Sequence, residues 1–487
     1  MATISGDELA SHNTRDSCWI AIKGTIWDVT SFVDQHPGGA SLILKVAGQD
    51  ATEQYETFHD LELVEKTLGD AAKRGIADAN SIPKMKPEKK AEEQNRKAPP
   101  LSSMISLKDF EKVAEEFMTP VAWAYVSSGA DNEISLRENG RVYEKIFLRG
   151  RILRRVASVD LSTTILGHMS SLPIYTSPVG LGKLVHPDGE CAIAQADGKE
   201  GIIQVVNTVS SMPIEAIMKA RVSEQQPVFW QLYLNQDLEI SKAFVERVEK
   251  TGVKAIWLTV DSPVTGNRER DERSKSIEEV SGDTECKLPP ADQFQIEESL
   301  ESIVETPQSK GIAASMNSYI NADVGWEIID WLRSVTKLPI VIKGIQCVDD
   351  AVMAYEHGVD GIVLSNHGGR SQDTSQPPLL TLMEIRKYAP HIIGGRMQIF
   401  VDGGVRRGTD VLKALCLGAS AVGIGRPTLF SMSAGYGHYG IRRMIQLLRK
   451  ELQTNMAFLG AKSLADLRPD MLNTKRLERM LYSDVKL

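Results

Sequence analysis

From about Ile105 to Leu487, short apolar runs alternate with stretches in which apolar residues recur at helical spacing. That is the pattern of a parallel α/β protein, whose buried strands read as nearly continuous apolar runs. Eight runs stand out: Ile174 to Pro178, Gly201 to Asn207, Val228 to Leu234, Ala255 to Asp261, Leu338 to Gly344, Gly361 to Asn366, Ile399 to Gly404 and Ala421 to Pro427. The first four begin 27 residues apart, the repeat of one strand plus one helix. The fourth and fifth begin 83 apart, and the acidic, Pro- and Ser-containing stretch from Ser274 to Ser315 fills most of the excess. The spacing predicts a (β/α)8 TIM barrel with a mobile loop after its fourth strand. An open doubly wound sheet, the structural competitor, would carry a Gly-x-Gly-x-x-Gly turn after its first strand, and none is there.

The first 76 residues follow another pattern. CWIAIKGTIWDVT, residues 18–30, is rich in β-formers around Lys23-Gly24 and predicts a hairpin. His36-Pro37-Gly38-Gly39 then forces a tight turn that would aim an imidazole into a pocket, while His59, after Tyr55-Glu56-Thr57-Phe58, ends a helical stretch on the other side. Two imidazoles from opposite walls can ligate one haem iron axially. On these motifs residues 4 to 76 resemble a cytochrome b5 haem-binding domain, a small α+β fold, which implies haem b held by His36 and His59. Next comes SIPKMKPEKKAEEQNRKAPPLSS, residues 81–103, rich in Lys, Glu and Pro with few large apolar residues. It cannot bury enough surface to fold and reads as an extended tether. The chain therefore divides into residues 1–77, a linker at 78–103, and a barrel at 104–487.

Charge sharpens this division. Residues 1–80 hold 13 Asp or Glu against 6 Lys or Arg, so most of the net charge of −8 sits on the first unit. Such a face repels nucleic acid and attracts a basic protein partner. No run of eighteen apolar residues occurs, which argues against a membrane span, and the start lacks a signal-peptide core or an Arg-rich transit pattern, so the chain reads as cytoplasmic. The five cysteines (Cys18, Cys191, Cys286, Cys347, Cys416) are scattered and without CxxC pairing, which argues against a disulfide framework or a zinc site.

The chemistry collects where the eight runs end. Ser177-Pro178-Val179-Gly180, Asn207-Thr208, Gln231-Leu232-Tyr233, Thr259-Val260-Asp261, Lys343-Gly344, Ser365-Asn366-His367, Asp402-Gly403-Gly404-Val405-Arg406 and Gly425-Arg426 are all polar or glycine-bearing. In a barrel these ends converge on one face. The last two, with two arginines and glycine-freed amides, predict a phosphate seat. Within Val363 to Arg370, VLSNHGGR, His367 offers a base that titrates near neutrality and Arg370 a planar fork for a carboxylate. Lys343, at the end of an apolar strand, needs a negative partner, and an electron-rich ring or a reduced flavin is expected to supply it.

SNHGGR, VDGGVRRGTD, TVDSP, WQLY, LPIVIKG and GRP together resemble the FMN-dependent α-hydroxy-acid dehydrogenases and oxidases. The fusion to a haem domain resembles the flavocytochrome b2 family, L-lactate dehydrogenases that reduce cytochrome c. The resemblance spans nearly the whole chain. It implies that His367 is the active-site base and that Asp261 orients and stabilises its imidazolium. It implies that Arg370 and Arg268 receive the substrate carboxylate, and that Tyr233 and Tyr125 bind carboxylate and hydroxyl. Pro178, Val179, Gly180, Asn207, Gln231, Thr259 and Lys343 then fall around the flavin ring, and Asp402, Gly403, Gly404, Arg406, Gly425 and Arg426 on the ribityl and phosphate groups. A homotetramer and, as an alternative to the cytoplasm, the mitochondrial intermembrane space are further implications.

Two positions depart from the family pattern. Asn207 stands where Ser is usual, and an amide can also donate. Gly180 stands where Ala is usual, which widens the pocket for longer or aromatic 2-hydroxy acids unless Leu181 or Val209 closes the gap. An oxidase that uses oxygen, with the haem ancillary, is one competing reading. A haem-binding carrier with a dead barrel is another, opposed by the intact His367, Asp261, Arg268, Arg370 and Tyr233.

Overall fold

A computed structural model describes residues 3–36, 40–52, 54–55, 61–78, 81, 97–274 and 320–483. His59, the Pro37-Gly38-Gly39 turn, most of the tether and nearly all of the stretch from Ser274 to Ser315 lie outside these residues. Two compact units are present, one formed by the N-terminal residues and one by residues 98–269 and 320–483.

In the N-terminal unit a five-stranded sheet runs in the order β1-β5-β4-β3-β2, with β1 Thr3–Ile4, β2 Asn13–Thr14, β3 Ser17–Ile22, β4 Thr25–Asp28 and β5 Lys73–Ala77. The predicted hairpin joins β3 to β4 through Lys23 and Gly24, at φ +48° and +76°. Two left-handed residues match the twist of the flanking strands, which is why glycine sits second. Inward residues of this hairpin, Cys18, Ile20 and Trp27, pack with Val33, Ile43 and Val46.

The second unit is a closed barrel of eight parallel strands, as the spacing predicted: β6 Ile174–Thr176, β7 Ile203–Val206, β8 Val228–Leu232, β9 Ile256–Thr259, β10 Ile340–Ile345, β11 Gly361–Leu364, β12 Gln398–Val401 and β13 Ala421–Ile424. Closure comes from β13 against β6, with Val422 opposite Ile174. Residues before 104 also pack on this unit. The Tyr436 hydroxyl donates to the Pro99 carbonyl, and Leu101–Ser103 form a 3-10 turn whose Leu101 packs on the barrel's outer core. The four described cysteines are free thiols. Among the described residues no helix is long and apolar enough to cross a membrane.

The barrel interior is layered. Tyr175, Val205, Phe229, Trp257, Val341, Val363, Phe400 and Ala421 form one buried cluster, with Trp257 against Tyr175, Phe400 and Phe229 at centroid distances of 5.0, 5.2 and 6.0 Å. Strand side chains alternate faces, so the residue two further along points inward again. Those residues are Ser177, Asn207, Gln231, Thr259, Lys343, Ser365, Asp402 and Gly423. Below, a hairpin of Thr163–Ile165 and His168–Ser170 seals the floor: Ile165 joins the apolar cluster, and Gln398 bonds both the Leu166 amide and the Thr164 carbonyl.

Candidate active site

His367 sits on strained backbone. His367, Gly368 and Gly369 follow β11 with φ of +57°, +66° and +75°, three consecutive left-handed residues. Only glycine fits at 369, where a Cβ would lie 2.5 Å from the Leu136 nitrogen. Histidine at such a φ is costly and persists only when its surroundings hold it. The Ser365 hydroxyl accepts from the His367 amide at 3.1 Å, and the Asn366 Oδ1 accepts from the Gly369 amide at 3.1 Å. Asn366 is in turn locked to Asn139 by reciprocal amide bonds of 2.8 and 2.9 Å.

His367 Nδ1 lies 2.7 Å from Asp261 Oδ1, and Lys343 Nζ lies 3.2 Å from Asp261 Oδ2. The carboxylate accepts from both, so Nδ1 carries hydrogen and, in the neutral ring, Nε2 keeps the lone pair a base needs. Burial works against ionising Asp261, but the charges of Lys343 and His367 and their hydrogen bonds outweigh it and hold the carboxyl well below its usual range. Burial likewise works against Lys343, and Asp261, Asp402 and Tyr233 more than offset it. The expectation for Lys343 is therefore corrected: its negative partner is a protein carboxylate. A flavin is not needed to pay its desolvation. Burial, aided by Lys343 and Arg268 and opposed by Asp261, lowers the pKa of His367, which keeps the imidazole neutral at rest. Burial also pushes Tyr233 up to about 12, so its hydroxyl stays a donor.

Arg370 and Arg426 satisfy the open carbonyls at the end of the Pro120–Ser127 helix. Arg370 Nη1 donates to Tyr125, Val126 and Ser128, and Arg426 donates to Val126, Ser128 and Gly368. Cations at a helix C-terminus complete its unpaired groups and match its dipole. Arg370 and Arg268 both stack over the Tyr125 ring, at 5.2 and 6.0 Å. Burial, then the charges of Arg370, Arg406 and Arg268, push Arg426 well below its ordinary value. A cluster of cations of this kind fits an anion such as a phosphate or carboxylate.

Other predicted positions stand at or just beyond the ends of the same strands. Gln231 donates to the Thr259 hydroxyl at 3.0 Å, and burial raises the Asp402 pKa. Gly404 (φ +77°) packs directly on the Ile134–Glu144 helix, where a Cβ would strike the Asn139 carbonyl oxygen at 2.0 Å. Arg406 pairs with Glu111 at 3.4 Å. Asn207 Oδ1 accepts from the Val209 amide at 2.7 Å, leaving its NH₂ to offer a ligand. Ser177 Oγ and Asp402 Oδ1 are buried with no protein partner among the described residues, so the mouth fits a polar cofactor such as FMN. In the N-terminal unit, half-buried His36 directly follows the Thr30–Gln35 turn, edge-on to Phe32 at 5.8 Å and beside the apolar cluster, a setting that fits one axial haem ligand.

The sequence reading missed several residues. Ser365 and Asn366 stand inside the SNHGGR motif, but their residue types alone announce no role. Ser262 and Ser371 adjoin predicted residues, and nothing in the sequence marked Asn139. Glu190 is buried and accepts from the Gly182, Ser211 and Met212 amides and the Ser211 hydroxyl, stitching the loop after β6 to the loop after β7.

A parallel barrel with an imidazole–carboxylate pair and an arginine cluster at the ends of its strands has the parts of an enzyme site for anionic ligands. Residues 114–474 match the FMN-dependent dehydrogenase family, and residues 5–78 match the cytochrome b5-like heme/steroid binding domain. The L-lactate dehydrogenase (cytochrome) of Wickerhamomyces anomalus is 39% identical over 96% of this chain and 79% of its own length. That of Saccharomyces cerevisiae is 39% identical over 98% of this chain and 80% of its own. A solved flavocytochrome b2 variant superposes with a TM-score of 0.69 at 39% identity, covering 80% of this chain and 91% of that one. The chain belongs to the FMN-dependent dehydrogenase family, as an enzyme with a fused cytochrome b5-like domain, and its cofactors are FMN and haem.

Proposed function

We propose that the protein oxidises an L-2-hydroxy acid, L-lactate foremost, to the 2-oxo acid and passes the electrons through haem b to cytochrome c. The observation that carries this reading is the Lys343–Asp261–His367 chain, buried at Lys343 and Asp261, at the mouth of the barrel, in a protein that shares 39% identity with two L-lactate dehydrogenases (cytochrome). His367 Nε2 takes the substrate proton, and Asp261 supplies the counter-charge to the imidazolium. Arg268 and Arg370 hold the substrate carboxylate, with Tyr233 and Tyr125 on its oxygens. FMN, when bound, accepts the hydride equivalent. Gln231, Thr259, Asn207, Lys343 and the segment Pro178-Val179-Gly180 would hold its ring, and Asp402, Gly403, Gly404, Arg406, Gly425 and Arg426 its ribityl phosphate. His36 and His59 would hold the haem, and the acidic first unit suits a basic partner such as cytochrome c.

The wall at Gly180 supports a small substrate. A Cβ built there would come 2.8 Å from the Val209 carbonyl oxygen, so the space left by the absent methyl is occupied by the neighbouring loop. Leu181 bonds that same oxygen through its amide at 3.3 Å. The family resemblance supports a homotetramer and a location beside cytochrome c in the intermembrane space. The test is rapid mixing of the holoenzyme with L-lactate, following flavin bleaching and then the haem Soret band, with cytochrome c or oxygen as the final acceptor. Haem reduction that follows the flavin and discharges to cytochrome c is expected. Reoxidation by oxygen alone at the same rate would make the protein an oxidase.

A further inference from the structure

Beside the His367–Asp261 pair lies a second, smaller chain of polar groups. Ser262 Oγ is 3.3 Å from Asp261 Oδ1 and 3.2 Å from His367 Nδ1, and 2.9 Å on its other side stands Ser371 Oγ. Close backbone packing holds the two serines together. Gly266, in the loop after Ser262, presses on the Arg370 and Ser371 carbonyl oxygens, at 2.3 and 2.1 Å from where its Cβ would be. Beyond it the Asn267 carbonyl accepts from the Asp131 amide at 2.8 Å, and the Asn267 side chain donates to Asp131 at 2.8 Å.

The direction of these bonds follows from the donors available. Nδ1–H points at Asp261 Oδ1, the shorter contact. An ionised carboxylate only accepts, and a hydroxyl bonded to a charged oxygen is stronger than one bonded to a neutral oxygen. Ser262 therefore donates to Asp261 Oδ1, and Ser371 donates to Ser262. We propose that Ser262 and Ser371 are positioning residues that set the basicity of His367 by drawing charge from the carboxylate oxygen that holds its Nδ1–H. The inference rests on His367 being the base.

With part of its charge drawn toward the hydroxyl chain, Asp261 stabilises the imidazolium less, and the base stays neutral at rest. The other ionisable groups facing His367, namely Lys343, Arg268 and Asp402, are unchanged by either serine substitution. Removing Ser262 leaves more charge for the imidazolium, so the His367 pKa should rise.

The experiment measures the pH dependence of flavin reduction by L-lactate in the holoenzyme, with FMN content checked in each variant. In Ser262→Ala the acid limb of kcat/KM should move to higher pH by roughly half a unit or more. Ser262→Thr, which keeps the hydroxyl, should return it. Ser371→Ala, at a partly exposed position, should shift the limb the same way by less, and should add nothing in a Ser262→Ala background. An unmoved limb in Ser371→Ala and Ser262→Ala, a shift to lower pH, or additive shifts would overturn the proposal. His367→Gln separates the two ideas. If it leaves flavin reduction fast, the base assignment fails; if it slows reduction while the serine variants leave the profile unmoved, only this inference fails.

Discussion

Two layers of inward side chains, two residues apart on the same strands, share one backbone and do opposite work. In the lower layer Tyr175, Phe229, Trp257 and Phe400 fill the interior ring against ring, buried and apolar. In the upper layer Gln231, Thr259, Lys343 and Asp402 are also buried yet polar or charged. The lower layer gains by excluding water. The upper layer gives up that gain and holds its charges by pairing them, as Lys343 and Asp261 do. Stability and chemistry are thus separated by the period of a strand, and the separation can be tested from either side.

The largest expected effect lies in the upper layer's chemistry. His367→Gln should leave the protein folded with FMN bound while flavin reduction slows by ~10²–10⁴ or more, since general-base catalysis alone contributes that much. Equal losses of FMN and activity would mean that the layer also builds the fold. On the lower layer, Trp257→Ala should cost about 3–5 kcal/mol of stability, read from denaturant midpoints of the flavin unit. Turnover per folded molecule should fall much less than in His367→Gln, and a comparable fall would break the distinction.

The smallest effect concerns pH. The depressed carboxyl of Asp261 contributes stability that is present above the ordinary carboxylate range and lost only as pH falls through its folded value. The raised pKa of Lys343 contributes stability that is present below its ordinary value and lost as pH rises through the folded one. Neither titrates near neutrality, so the acid limb of kcat/KM belongs to His367. Its pKa is lowered, so the base keeps its lone pair into more acid solution, and the limb should fall below the ordinary imidazole value of about 6.5. A limb above that value would mean that Asp261 outweighs burial.

The two layers also explain what was legible beforehand. Strand ends were visible because apolar runs stop at polar residues, and the alternation that puts Phe229 and Gln231 on one face is written in the chain. Pairings across strands were not. Lys343 and Asp261 lie 82 residues apart, and their contact depends on β9 and β10 being neighbours in register. Asn139 reaches Asn366 from a helix that no motif marked. At Gly180, the missing methyl implies a wider pocket unless Leu181 or Val209 closes it. The outcome turned on where the Val209 backbone lies, a matter of loop packing that single residues do not encode.

The hairpin that closes the barrel floor carries a consequence for traffic. Ile165 joins the aromatic cluster and Gln398 fastens the turn of the hairpin, so the described residues pack this end with apolar side chains. Under the proposed roles of Arg268 and Arg370, substrate and oxo acid would share one doorway and compete for the same guanidinium groups. Such an arrangement predicts that added oxo acid slows turnover of the hydroxy acid, which a product-inhibition series on the holoenzyme would read.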